Sequence, residues 1–145
     1  MVEVLVSLAI AMVAVGIVFV SLSNLNKRKA LDGSVGTVVS VLHEARALTL
    51  SSSGASTYGV YFGEGQVVLF KGAVYATSTA TNVVSLVHPL TAIRNVLLAA
   101  SSTSVVFNRL TGATAQPGTL TVSLKENPLE YRTITISSTG IINTD

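Results

Sequence analysis

The chain has 145 residues, enough for one domain and an anchor, and its mean hydropathy of +0.63 is high for a soluble domain. A net charge of +2 is too small to predict nucleic-acid binding by itself. Because the sequence contains no cysteine, both a disulfide framework and a thiolate metal site are excluded.

The first 26 residues form an apolar run in which Glu3 is the only charged residue. A run of this length predicts a membrane-spanning helix. A signal peptide is disfavoured because no basic residue precedes the run, the run exceeds the usual ~7–15 residues of a signal-peptide core, and the helical pattern continues beyond it. Since an unpartnered carboxylate is costly inside a bilayer, Glu3 is a candidate functional residue.

The helical pattern continues to residue 52, and its second half, 27–52, is amphipathic. A basic cluster follows the apolar run directly and consists of Lys27, Arg28 and Lys29. A cluster at this position contacts lipid headgroups or neighbouring subunits. The positive-inside rule alone would place the following domain in the cytoplasm. Gly33 and Gly36 weaken the helix and predict bends or local melting. A stripe spaced by four and three residues predicts packing along a folded domain and comprises Leu31, Val35, Val38, Leu42, Ala45 and Thr49.

Residues 53–145 read as a β-rich globular domain that follows a Ser/Gly-rich loop at 51–56. The segment 93–100 is compatible with strand or helix, and 72–76 extends or follows the second strand. Turns are predicted at 111–118 and 125–128. Strands are predicted at 57–62, 66–70, 82–87, 103–108, 118–124 and 131–137. The expected fold class is therefore α+β, with a long N-terminal helix packed on an antiparallel sheet or sandwich.

No catalytic or metal-binding set is visible in the sequence. His43 and His88 lie far apart and outside any recognisable ligand spacing. The serines at 51–53 and 101–104 lack a nucleophile elbow and a plausible His/Asp set, so they are interpreted as loop or strand-edge residues. The chain has no Walker A loop. We therefore expect neither an enzyme nor a cofactor.

Residues 1–20, MVEVLVSLAIAMVAVGIVFV, resemble the N-terminal helix of type IV pilins and type II secretion pseudopilins. The most specific part is Glu-Val-Leu-Val-Ser-Leu-Ala-Ile at 3–10. The resemblance aligns Met1 with the third residue of a mature pilin, which implies two residues and a leader peptide ahead of it.

The rest of the chain resembles the GspH/FimT-like subclass of pseudopilins. That subclass has an Ala-Arg pair late in the helix, here Ala45-Arg46. It also has a Phe-x-x-x-x-Gly element, here within 105–112, a Thr-rich strand at 132–136, and a closing Ser-x-x-Gly element at 137–141. Members that bind DNA carry an arginine at the closing glycine, whereas this chain has Gly140-Ile141-Ile142-Asn143. Nucleic-acid binding is therefore not expected.

The resemblance implies a structural subunit of a type IV pilus-like filament, with a minor pseudopilin of a type II secretion system or a DNA-uptake minor pilin as alternatives. Its partners would be copies of itself, other pilins, a prepilin peptidase and the assembly machinery. It would reside in the inner membrane as a precursor and then in an extracellular or periplasmic filament. Glu3 would meet the N-terminal amine of a neighbouring subunit, while the filament core would be filled by Leu5, Leu8, Ile10, Val13, Ile17 and Val20.

Overall fold

The computed structural model describes residues 2–77 and 79–145, and it leaves the side chains of residues 17–21 and 23 outside the description. Over the described residues the chain forms one long helix followed by eight strands. The helix is α1 (Val2–Leu50), and the strands are β1 (Tyr58–Phe62), β2 (Gln66–Lys71), β3 (Val83–Leu86), β4 (Thr91–Leu98), β5 (Ser104–Phe107), β6 (Gly118–Leu124), β7 (Tyr131–Ile136) and β8 (Ile142–Thr144). Short 3-10 turns lie at Ser53–Ala55 and Ala99–Ser101.

Helix α1 passes Gly33 and Gly36 without interruption, so the local melting predicted at these glycines is not found in the structure. The helix ends where Ser52 adopts a left-handed φ of 51°. Its second half packs on the β domain from Ala30 onward. The predicted stripe is the buried face, with Val35 half-buried and the other members almost fully buried, namely Leu31, Val38, Leu42, Ala45 and Thr49.

The strands form two four-stranded antiparallel sheets, ordered β3-β2-β1-β5 and β4-β6-β7-β8. Alternate residues of both sheets face the helix because successive side chains in a strand point to opposite faces. The resulting core is continuous with the helix stripe and includes Val60, Val67, Val105, Phe107, Leu120, Val122, Ile134 and Ile136. This arrangement confirms the α+β class with the helix packed on antiparallel sheets.

The outer face of the first sheet is covered by the segment that follows β2. Gly72, with a φ of 118°, turns the chain away after its N–H donates to the carbonyl of Thr57. Tyr75 then stacks on Tyr61 with 4.2 Å between ring centroids and tilts against Phe70. The expectation that 72–76 extends or follows β2 as a strand was therefore wrong, because this segment folds back over the sheet.

The second sheet resolves one ambiguous segment and contains one strand that was not predicted. The ambiguous segment is strand β4, which carries a bulge between Arg94 and Leu97 where Asn95 has a φ of 48°. The tail forms β8, which pairs with the edge of β7 through Ile136 and Ile142. A three-residue strand carries too little alternation to be recognised in isolation.

Candidate assembly interface

The first part of α1 presents apolar side chains on its whole circumference. Every residue from Val2 to Gly16 is exposed, in contrast to the one-sided burial that begins at Ala30. Four of the predicted interface residues lie here and are between 54% and 67% exposed, namely Leu5, Leu8, Ile10 and Val13. The side chains of Ile17 and Val20, predicted for the same interface, lie outside the described residues.

Among the described residues, which leave out the side chains of 17–21 and 23, no helix has the length and apolar character needed to cross a membrane.

Glu3 lies in the first turn of α1, where a negative charge is favourable beside the positive end of the helix dipole. Its backbone carbonyl accepts a hydrogen bond of 2.8 Å from the hydroxyl of Ser7. Its carboxylate makes no ion pair with any residue that the structure describes. Glu3 is therefore an exposed acid on an apolar helix surface.

In the basic cluster, Lys27 contacts the β domain, whereas Arg28 and Lys29 face solvent. The Nζ of Lys27 lies 2.7 Å from Oε2 of Glu126, in the loop between β6 and β7. The hydrogen bond to Glu126 and its negative charge raise the pKa of Lys27, and the same contact lowers the pKa of Glu126. Arg28 and Lys29 are exposed. Lys27 thus ties α1 to the β domain just before its buried face begins, whereas Arg28 and Lys29 remain accessible.

A second tie between α1 and the domain was not visible in the sequence. Ser34 is almost fully buried, and its hydroxyl lies 2.8 Å from Oγ1 of Thr91. The N–H of His88 donates to the same hydroxyl at 3.0 Å, and Thr91 donates to the His88 carbonyl at 2.8 Å. Ser34 carries no sequence signal for this role, because the partners are more than 50 residues away and meet only in the fold.

Three of the four family-like motifs meet at the far end of α1. Arg46 donates from Nε to the carbonyl oxygen of Gly112 at 3.4 Å. Gly140 packs against that same carbonyl so closely that a Cβ on Gly140 would overlap the Gly112 oxygen. Both glycines are buried and have a left-handed φ, 65° for Gly112 and 76° for Gly140. We call Arg46, Gly112 and Gly140 the motif junction, since it joins α1, the loop after β5 and the turn before β8.

His43 is exposed on α1, and the ring Nδ1 of His88 accepts the N–H of Leu90 at 3.2 Å in the turn between β3 and β4. Among the described residues, no group of three His, Cys, Asp or Glu side chains is arranged to hold a metal ion. The exposed part of α1 and the motif junction contain the residues that carry the family resemblance.

Comparison with known proteins identifies this arrangement. The type IV minor pilin FimU of Pseudomonas aeruginosa is similar in structure, with a TM-score of 0.60 and 13% sequence identity over 79% of this chain and 92% of the FimU chain. At this identity the similarity shows the pilin fold. No curated protein matches the sequence. The family model described as type II transport protein GspH matches residues 34–140, a range that contains the whole motif junction. The resemblance predicted from the motifs is confirmed, and the chain belongs to the GspH family.

Proposed function

We propose that this chain is a structural subunit of a type IV pilus-like filament, which assembles by packing the exposed part of α1 against the same helix of neighbouring subunits. The observation that carries this proposal is the exposure of every side chain from Val2 to Gly16 on an uninterrupted helix. A continuous apolar surface marks an interaction site or an apolar environment. Burying one Val, Leu or Ile side chain contributes about 1.5–3 kcal/mol.

The same apolar helix suits two environments in succession. Before assembly, residues 1–26 hold the precursor in the inner membrane, and prepilin peptidase processes it there. After extraction by the assembly machinery, the helix packs in an extracellular or periplasmic filament. Leu5, Leu8, Ile10, Val13, Ile17 and Val20 form the core contacts in this proposal. Arg28 and Lys29 are accessible for lipid headgroups before assembly and for neighbouring subunits afterwards.

A second candidate is a minor pseudopilin of a type II secretion system, located at or near the filament tip. The description of the matching family, type II transport protein GspH, favours it. FimU, which shares the fold, is itself a type IV minor pilin. A DNA-uptake role is disfavoured because the closing segment Gly140–Asn143 contains no arginine. The two remaining candidates share one geometry and differ in the position of the subunit along the filament.

Electron microscopy of sheared filaments, with immunogold labelling of the β domain, distinguishes these candidates. Label along the whole length of thin filaments supports a bulk structural subunit. Label confined to filament tips supports the minor pseudopilin. Wild-type chain that is expressed and membrane-associated, yet absent from every filament fraction, contradicts both proposals.

Glu3→Gln tests the proposed role of the helix carboxylate. If Glu3 pairs with a cation of the next subunit in an apolar core, its neutralisation leaves that cation buried and unpaired, a loss of about 3–5 kcal/mol. We expect membrane association to persist and filament yield to fall at least tenfold. Glu44→Gln is the matched control, because Glu44 is an exposed carboxylate on the second half of the same helix. Equal filament yields from the two variants would refute the pairing role of Glu3.

A further inference from the structure

The outer face of the second sheet carries a groove of about 590 Å³ that the proposed assembly does not use. Strands β6 and β7 direct Leu120, Val122 and Ile134 into the core. Because strand side chains alternate between faces, the residues between them point outward and line the groove. These include Thr119, Thr121 and Thr133, so the floor of the groove consists largely of hydroxyl groups.

The walls of the groove come from β4 and from the loop between β6 and β7. Arg94 lies opposite Thr121 in the sheet register, and the Thr121 hydroxyl donates to the Arg94 carbonyl at 2.9 Å. The bulge at Asn95 interrupts β4 immediately after Arg94. At the other side, Tyr131 presents a half-exposed aromatic ring beside Pro128. The groove therefore combines an aromatic surface, planar polar groups and hydroxyls.

Ser123 is a buried polar residue beneath the groove. It lies on the outward face of β6, between Ala92 and Tyr131 in the register, and lines the groove. Its side chain is only 2% exposed, and its hydroxyl has no hydrogen-bond partner among the described residues. Buried polar atoms in folded proteins nearly always have a partner, so the Ser123 hydroxyl is an exception at the base of the groove.

The charge of the groove selects the kind of ligand. Arg94 is the only charged residue among the described residues that line it, and no carboxylate is among them. The ion pairs found over the described residues are Lys27 with Glu126 and Arg132 with Asp32, so Arg94 is not neutralised in this way. A guanidinium group binds carboxylates with two parallel hydrogen bonds. One arginine without neighbouring basic residues is a poor match for a polyphosphate backbone.

We propose that this groove binds an acidic saccharide, with Arg94 contacting the sugar carboxylate, the threonine hydroxyls and Asn95 contacting the sugar hydroxyls, and Tyr131 packing on a ring face. The volume falls within the range of about 300–1,000 Å³ that is typical of small-molecule sites. The site lies on the β domain, away from the exposed part of α1. Binding at this site therefore does not depend on whether the subunit lies along the filament or at its tip.

Calorimetric titration of the detergent-solubilised full chain with a uronic-acid tetrasaccharide tests this assignment. The neutral methyl-ester form of the same tetrasaccharide is the matched ligand. We expect saturable binding of the acidic form and at least tenfold weaker binding of the ester. Arg94→Met should weaken the acidic ligand to the level of the ester and leave ester binding unchanged. Absence of saturable binding by the acidic form at millimolar concentration overturns the proposal.

Two further variants separate sugar recognition from simple charge attraction. Thr133→Val removes a groove hydroxyl and should weaken the acidic form and the ester alike, by about the tenfold typical of one lost polar contact. Thr135→Val is the control, since Thr135 is two residues along β7 and does not line the groove. Equal effects of these two variants contradict the site. Tetraglutamate binding as tightly as the acidic saccharide would show that the groove accepts an acidic peptide instead, which also overturns the proposal.

Discussion

Gly140→Ala is expected to destabilise the fold severely, because it combines two penalties at the motif junction. Gly140 has a φ of 76°, and left-handed backbone costs an alanine about 1–2 kcal/mol. The added Cβ would also overlap the carbonyl oxygen of Gly112 and lie 3.1 Å from Nε of Arg46. Overpacking of a well-packed site costs a further ~1–3 kcal/mol. The total of about 2–5 kcal/mol is a large part of the 5–15 kcal/mol that holds a typical domain folded.

Thermal unfolding of the detergent-solubilised full chain, followed by circular dichroism, measures this effect. A loss of about 3 kcal/mol lowers Tm by roughly 6–12 °C in a chain of this size. Gly72→Ala isolates the backbone penalty, because Gly72 has a φ of 118° but no described atom within 4 Å of the added Cβ. Gly65→Ala is the neutral control, with neither a positive φ nor a described neighbour. We expect losses in the order Gly140→Ala, Gly72→Ala, Gly65→Ala. If Gly140→Ala is no worse than Gly72→Ala, the close contact with Gly112 does not limit stability.

Two ties between α1 and the domain give further predictions. The pKa of Lys27 is raised in the folded protein, so its contribution to folding stability is complete below the ordinary lysine pKa and is lost as pH rises through the raised value. The pKa of Glu126 is lowered, so its contribution is complete above the ordinary glutamate pKa and is lost as pH falls through the lowered value. The Tm difference between the wild type and Glu126→Gln should therefore be largest near neutral pH and shrink at both extremes, and a difference that is constant with pH would contradict this. Ser34→Ala removes the buried hydroxyl that accepts the N–H of the exposed residue His88, and it should lower the free energy of unfolding in denaturant by about 0.5–1.5 kcal/mol. Ser51→Ala, at an exposed serine, is the control and should change it little.

Much of the architecture was predictable from local patterns. The stripe of α1 and the alternation in β6 and β7 are determined by short-range spacing, which a sequence displays directly. The strand β8 and the fold-back of Tyr75 were missed, because each depends on a partner strand or ring that is distant in sequence. In the same way, Ala45-Arg46 could be recognised as a motif. The contact of Arg46 with Gly112 required the fold.

The functional residues also differ in whether local sequence or only the fold reveals them. Glu3 and the apolar residues of the helix are recognisable because their chemistry contrasts with their immediate neighbours. The groove cannot be recognised in this way, because Arg94, Thr121 and Thr133 belong to three strands and become neighbours only through the sheet register. Ser123 carries no sequence signal at all, since a serine in a strand is ordinary until its hydroxyl is buried without a partner.

The attachment of α1 has a mechanical consequence. The helix is fixed to the domain at Ser34 and again at Arg46, so its second half cannot rotate independently of the sheets. The first half is continuous with it and projects roughly 40 Å at about 1.5 Å per residue. A lever of that length turns a tilt of about 5° at the domain into a displacement of about 3–4 Å at Glu3, simply from the helix rise. The pair of Lys27 and Glu126 lies close to the point where the projecting part of the helix begins, so a shift at this contact is amplified along the helix towards Glu3.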